Sequence, residues 1–145
     1  MQIRALLMAA ATIAASILAA VGQETPAEEE YIKIGGVLYE FSCASCHGLG
    51  GRGDGPAAGE LKTPPADLTQ LSRSNGGVFP MDFVIETIDG RNTVRAHGSA
   101  EMPVWGIVFL TDFERFTLDT GSDDEAMARR RIKQLADYVA TIQQP

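Results

Sequence analysis

The pentapeptide Cys43-Ala44-Ser45-Cys46-His47 carries the densest chemistry in the chain. Two thiols two residues apart, followed directly by an imidazole, form the Cys-x-x-Cys-His pattern that attaches a c-type haem. Each thiol adds across one vinyl group of the porphyrin and becomes a thioether. The two intervening residues let a single turn of chain present both sulfurs to one edge of the ring. The histidine then reaches iron from the proximal side. Gly48 comes next, where a bulky side chain would crowd the ring.

Other uses of a Cys-x-x-Cys pair fit less well. A thioredoxin-like redox pair follows a strand in a βαβ pattern, which this sequence lacks. A structural zinc site needs four ligands, and the chain has 2 cysteines. A plain disulfide suits an exported protein. None of these calls for a histidine immediately afterwards.

A haem held by one histidine has a sixth iron position, and its occupant separates carrier from catalyst. A thioether is soft, favours ferrous iron and raises the potential. Of the 5 methionines, Met1 and Met8 fall in the leader, Met81 lies on an apolar helical stripe, and Met127 sits in the last helix. Met102 stands in a loop before Pro103, 55 residues beyond His47 (102 minus 47). Pro103 has no amide hydrogen and stiffens that loop. Met102 is therefore the expected distal ligand. His97, in the same loop, is the competitor; a second imidazole would lower the potential.

The elements that must position these groups are helical. Residues 1–22 read as a secretory signal, with Arg4 as the positive region, an apolar run from Ala5 to Val21, and small residues Ala20-Val21-Gly22 before a cut at Gln23. An uncleaved membrane anchor is the alternative, at the short end of spanning length. Residues 23–145 then form one domain. Thr25, Pro26 and Glu28 make a capping box for a first helix running to Ser42. Ile34, Val37, Leu38 and Phe41 give it an apolar face, and Gly35-Gly36 suggests close approach by another element. The glycine-rich stretch Gly48 to Pro56 reads as a tight loop against the haem edge. It lacks the Gly-Lys-Ser/Thr of a phosphate loop. A short helix fits Leu68 to Leu71. Pro80 opens a helix with the stripe Met81, Val84, Ile85 and Ile88, ended by Gly90. Ser122 to Glu125 is a second capping box. It starts a last helix whose buried face is Ile132, Leu135, Val139 and Ile142, with the basic run Arg129-Arg130-Arg131 and Lys133 in solvent or docking an acidic partner.

Composition narrows the partners. The formal net charge is -7, from 12 basic and 19 acidic residues. Removing a leader that holds only Arg4 leaves 11 basic and 19 acidic residues, hence -8. Such a domain is poorly suited to nucleic acid or to anionic membrane surfaces. It suits a redox partner with a basic docking patch.

Taken in order, these pieces resemble a class I cytochrome c of the small bacterial monohaem kind. The resemblance rests on the first helix, Cys43 to Gly48, the loop ending in Gly55-Pro56, the middle helix, the stretch Met102-Pro103-Val104-Trp105-Gly106, and the last helix. It spans Glu28 to Ile142. It implies an all-α fold of four to five helices around one covalently bound haem c, with iron ligated by His47 and Met102. It also implies that Gly35 and Tyr39 meet Leu135 and Tyr138 where the first and last helices cross, and that Pro56 offers a backbone carbonyl to the proximal imidazole. Trp105, with Arg91 or Arg95, would neighbour the haem propionates. The segment 107–121 is longer than the family pattern needs, and is either a docking surface or extra haem cover.

The expected function is a periplasmic one-electron carrier, since covalent haem attachment in bacteria is completed on that side of the membrane. No catalytic residue is required, because the macrocycle supplies the chemistry. After signal cleavage no stable membrane insertion is expected. The alternatives are a cytochrome c subunit of a periplasmic dehydrogenase or oxidase, and a haem sensor or enzyme with an open distal site.

Overall fold

The computed structural model describes residues 25–91, 102–116 and 124–145, with 111–116 described by backbone alone. The regular elements among those residues are all helical, with no strand among them. In order they form α1 (Pro26–Ser42), α2 (Ala44–His47), two 3-10 turns (Ala58–Glu60 and Leu68–Gln70), α3 (Leu71–Ser74), α4 (Met81–Asp89), α5 (Trp105–Phe116) and α6 (Asp124–Thr141). Among the described residues no helix is long and apolar enough to cross a membrane.

The start of α1 follows its sequence. Pro26 takes the first helical position, and the Glu28 amide donates to the Thr25 hydroxyl at 3.3 Å. Ser122, in the second expected capping box, lies outside the described residues, and α6 is described from Asp124. Gly90 ends α4 in the left-handed conformation, φ 67°.

The core lies where α4, α5 and α6 pack on one another. Val84 and Ile88 of α4, Phe109 of α5, and Ala128, Ile132, Leu135, Ala136 and Val139 of α6 are buried. Met81 and Ile85 pack against them. Segment 107–121, where it is described, is helical, and Ile107 within it is exposed. It belongs to α5, and Phe109 is 4% exposed under the Arg131 guanidinium, which stands 5.8 Å from the ring centroid.

The buried face of α1 differs from the expected one. Ile34, Val37 and Phe41 are exposed, Phe41 to 84%. Gly35 and Tyr39, which the resemblance placed at the crossing with the last helix, are buried. A Cβ on Gly35 would collide with the Gln134 carbonyl oxygen and lie 3.1 Å from the Tyr138 Cβ. The Tyr39 and Tyr138 rings pack at 5.2 Å. Close approach of two backbones selects the face with the smallest residue, and the larger apolar side chains are turned away.

The basic run of α6 is largely used within the fold. Arg129 pairs with Glu125 at 2.9 Å, Lys133 with Asp137 at 2.6 Å, and Arg131 covers Phe109. Glu125 also receives Arg91, whose guanidinium bridges it to Asp89. Hydrogen bonds from Arg91 and then Arg129 hold the Glu125 carboxyl down at about 2, against an ordinary 4.5. Arg91 likewise lowers Asp89. With the folded value depressed, the unfolded chain binds protons first as the pH falls, so this stability is complete above about 4.5 and is lost on going down toward 2. In urea unfolding followed from neutral pH down to about pH 3, Glu125→Gln should flatten the acid loss of stability relative to the parent. An unchanged acid profile would show that the pair contributes nothing in that window.

Candidate functional site

The site is built on a helix of four residues, and four residues cannot satisfy their own carbonyls. Ala44–His47 continues the line of α1: the Cys43 amide donates to the Tyr39 carbonyl at 2.8 Å, and the His47 amide to the Cys43 carbonyl at 2.9 Å. Both sulfurs and the imidazole thus leave one turn of backbone. The carbonyls of Ser45, Cys46 and His47 are met from outside. They accept from Ala57, Gly55 and Gly53 amides at 2.9, 3.1 and 2.8 Å. The glycine-rich loop therefore folds back onto the end of the motif. Gly55 must be glycine for this return, because a Cβ there would collide with the Ser45 carbonyl oxygen.

The next segment supplies the imidazole's partner. His47 Nδ1 lies 3.0 Å from the Ala66 carbonyl oxygen. An acceptor there makes Nδ1 the protonated nitrogen and leaves the Nε2 lone pair as the metal-ligating one. The expected acceptor was Pro56. Pro56 is exposed, and the backbone on either side of it is occupied in capping α2, so the carbonyl role falls to Ala66.

The chain just after Ala66 is fixed by hydrogen bonds. Leu68 N–H donates to the Gly51 carbonyl at 2.6 Å. Asp67 caps the following turn, accepting from the Thr69 amide and hydroxyl at 2.9 and 2.6 Å. The C-terminus then closes over this turn: Gln143 Nε2 donates to the Leu68 carbonyl at 2.7 Å, the Ser72 amide donates to Gln143 Oε1 at 2.9 Å, and the Gln144 amide to the Thr69 carbonyl at 2.9 Å. None of these partners was expected from sequence. The Asp-x-Thr spacing at Asp67 and Thr69 was the one local signal for this turn.

The thiols are free of each other as disulfides, and both are partly buried. Burial, and then the neighbouring Cys46, push the Cys43 thiol up to about 12. A thioredoxin-like nucleophile needs the opposite shift. Among the described residues no group of three or more His, Cys, Asp or Glu is arranged to hold a metal ion, which removes the zinc reading there. Two unpaired thiols and an oriented imidazole on one turn are the donor set of a covalently held haem, and the residues fit that group.

A family match is consistent with this donor set. A family model described as cytochrome c matches residues 32–143. The chain belongs to the cytochrome c family. No curated protein and no solved structure matches it. Membership implies haem-based electron transfer, covalent haem c and redox partner proteins; members of this family are typically electron carriers.

The remaining expected site residues of this cytochrome c lie on other elements. Met102 is half-buried just before α5. Trp105, the first residue of α5, packs against the core and lies 5.5 Å from Phe109, ring to ring. Arg91 is engaged by Asp89 and Glu125 rather than standing as an unpaired cation for a propionate. His97 and Arg95 lie outside the described residues.

Tyr39 ties the helix crossing to the site. It is 1% exposed, and its hydroxyl donates to the Gly48 carbonyl at 2.7 Å. That carbonyl also accepts from the Gly51 amide at 3.1 Å, so it keeps a partner if the hydroxyl is removed. Tyr39→Phe should therefore cost only about 1 kcal/mol in denaturant unfolding, the net value of one hydrogen bond. A loss several times larger would mean that the hydroxyl holds more of the loop than this bond.

Proposed function

We propose that the protein is a one-electron carrier whose haem c is attached through Cys43 and Cys46 and ligated by His47 and Met102. What supports this most is the 3.0 Å contact of His47 Nδ1 with the Ala66 carbonyl, because a carrier needs its proximal ligand fixed in one orientation. When bound, the haem supplies exchange of a single electron at iron. The chain does the rest. Cys43 and Cys46 fasten the ring edge, and the Ala66 carbonyl raises the basicity of His47. Met102 supplies a thioether whose softness favours the reduced state.

Residues 1–22 act as a secretory signal, and the mature carrier works in the periplasm. The features in favour are Arg4, the apolar run to Val21 and the small residues before Gln23. The mature domain meets its redox partners through an acidic surface. Its net charge of -8 without the leader (11 basic, 19 acidic) supports a partner with a basic docking patch.

Two measurements test this reading. The intact mass of protein matured in a haem-attaching host should equal residues 23–145 plus one haem; retention of 1–22 would point to an anchor instead. Carbon monoxide added to the reduced protein should leave its spectrum unchanged. Met102→Ala should bind carbon monoxide promptly and lower the potential by on the order of 100 mV, within the ~0.8 V that axial ligands span. Prompt binding by the parent protein would move the reading to a sensor or enzyme with an open distal position.

A further inference from the structure

The Arg91 guanidinium is held by two bidentate forks. Nε and Nη2 donate to Asp89 Oδ1 and Oδ2 at 2.6 and 2.8 Å. Nη1 and Nη2 donate to Glu125 Oε2 and Oε1 at 2.6 and 3.0 Å. Glu125 also accepts from Arg129 Nε at 2.9 Å, so two cations and two anions close a neutral set. Asp89 is the last residue of α4 and Glu125 lies in the first turn of α6, so the set joins two helix ends 36 residues apart along the chain (125 minus 89). The side chains of Arg91 and Asp89 are only 26% and 18% exposed. A planar fork so arranged is specific in geometry as well as in charge.

The segment that follows Met102 is seated on this set. A Cβ on Gly106 would collide with Asp89 Oδ1, lie 2.6 Å from Arg91 Nε and lie 2.8 Å from the Asp89 carbonyl oxygen. One step earlier, a Cβ on Gly90 would lie 3.3 Å from the Val104 Cα. Val104 to Gly106 therefore rest directly on the end of α4 and its clamped arginine. Between this seat and Met102 stands only Pro103, whose ring fixes its own φ and restricts the residue before it. The lever from the ion-pair set to the methionine is short and stiff.

We propose that Arg91, held by Asp89 and Glu125, is a positioning residue for the distal ligand: the clamp sets where Met102 stands. The inference rests on Met102 being that ligand. Arg91 is thus spent inside the protein, on the neck of the methionine segment, and not on a propionate. A thioether is a neutral, weak donor, so its hold on iron depends on the protein keeping it in place.

The test uses mature holoprotein carrying Arg91→Gln, Arg91→Lys, Glu125→Gln or Met102→Ala, each checked for folding by far-UV circular dichroism. The readouts are the sulfur-to-iron charge-transfer band of the ferric protein, the potential, and the rate of carbon monoxide binding to the ferrous protein. Arg91→Gln should weaken the band, lower the potential and speed carbon monoxide binding by roughly tenfold, the size of effect expected for a broken positioning network. Glu125→Gln, which leaves the Asp89 fork intact, should shift the same readouts by less. Arg91→Lys should rescue only in part, because an ammonium cannot make two forks. If Arg91→Gln does not fold, Glu125→Gln carries the test alone. Folded variants with the parent's band, potential and carbon monoxide rate would overturn the proposal and leave the clamp a purely structural one. If Met102→Ala itself leaves these readouts unchanged, the ligand reading fails first; if Met102→Ala moves them and the clamp variants do not, the positioning role alone fails.

Discussion

A single helical turn cannot hold its own carbonyls, and the structure is arranged around that shortage. Ala44–His47 is only four residues long, and with Cys43 before it both thiols and the imidazole leave one turn. Its last carbonyls are then orphaned in a partly buried place, where an unmet acceptor costs about 1–3 kcal/mol. The loop that follows returns to meet them with the amides of Gly53, Gly55 and Ala57. That return requires residues without side chains at the contact, which explains a composition that would be wasteful elsewhere. It also brings Ala66 beneath His47. Satisfying the backbone and orienting the His47 imidazole are one event.

Much of this was legible in the sequence, and the parts that were not share a cause. The motif, the helix starts at Pro26 and Met81 and the helix end at Gly90 are local signals, and the structure has them there. The buried stripes of α4 and α6 follow the apolar period, since Val84 and Ile88 in the one and Ile132, Leu135 and Val139 in the other are buried. In α1 the period misleads. Ile34, Val37 and Phe41 recur at helical spacing yet stand in solvent, because the crossing with α6 admits only the face that carries Gly35. Hydrophobicity predicts which face gains from burial; it does not predict which face fits.

The Ala66 carbonyl was illegible for a different reason. A backbone acceptor has no residue type, so nothing in Thr63 to Asp67 marks which of its carbonyls turns toward His47. Pro56 was the nearer candidate along the chain, but its turn is occupied in capping α2. The Arg91 clamp was hidden by distance in sequence. Asp89 and Arg91 are neighbours in any reading, whereas Glu125 joins them only after α5 has been folded between α4 and α6.

Helix α6 links the two ends of the site. Its 18 residues span about 27 Å at 1.5 Å per residue. At its beginning Glu125 grips Arg91, beside the segment that carries Met102. Just past its end Gln143 grips Leu68, two residues beyond the carbonyl that orients His47. Between these points Ile132, Leu135 and Val139 pack it into the core. Both candidate axial ligands are therefore referred to one rigid rod, and neither loop has to find its place alone. For a carrier this arrangement has a direct consequence. Electron exchange is easiest when the iron ligands move little between oxidation states. With one packed helix bonded beside both candidate ligand segments, a shift of either segment away from α6 requires one of those bonds to break.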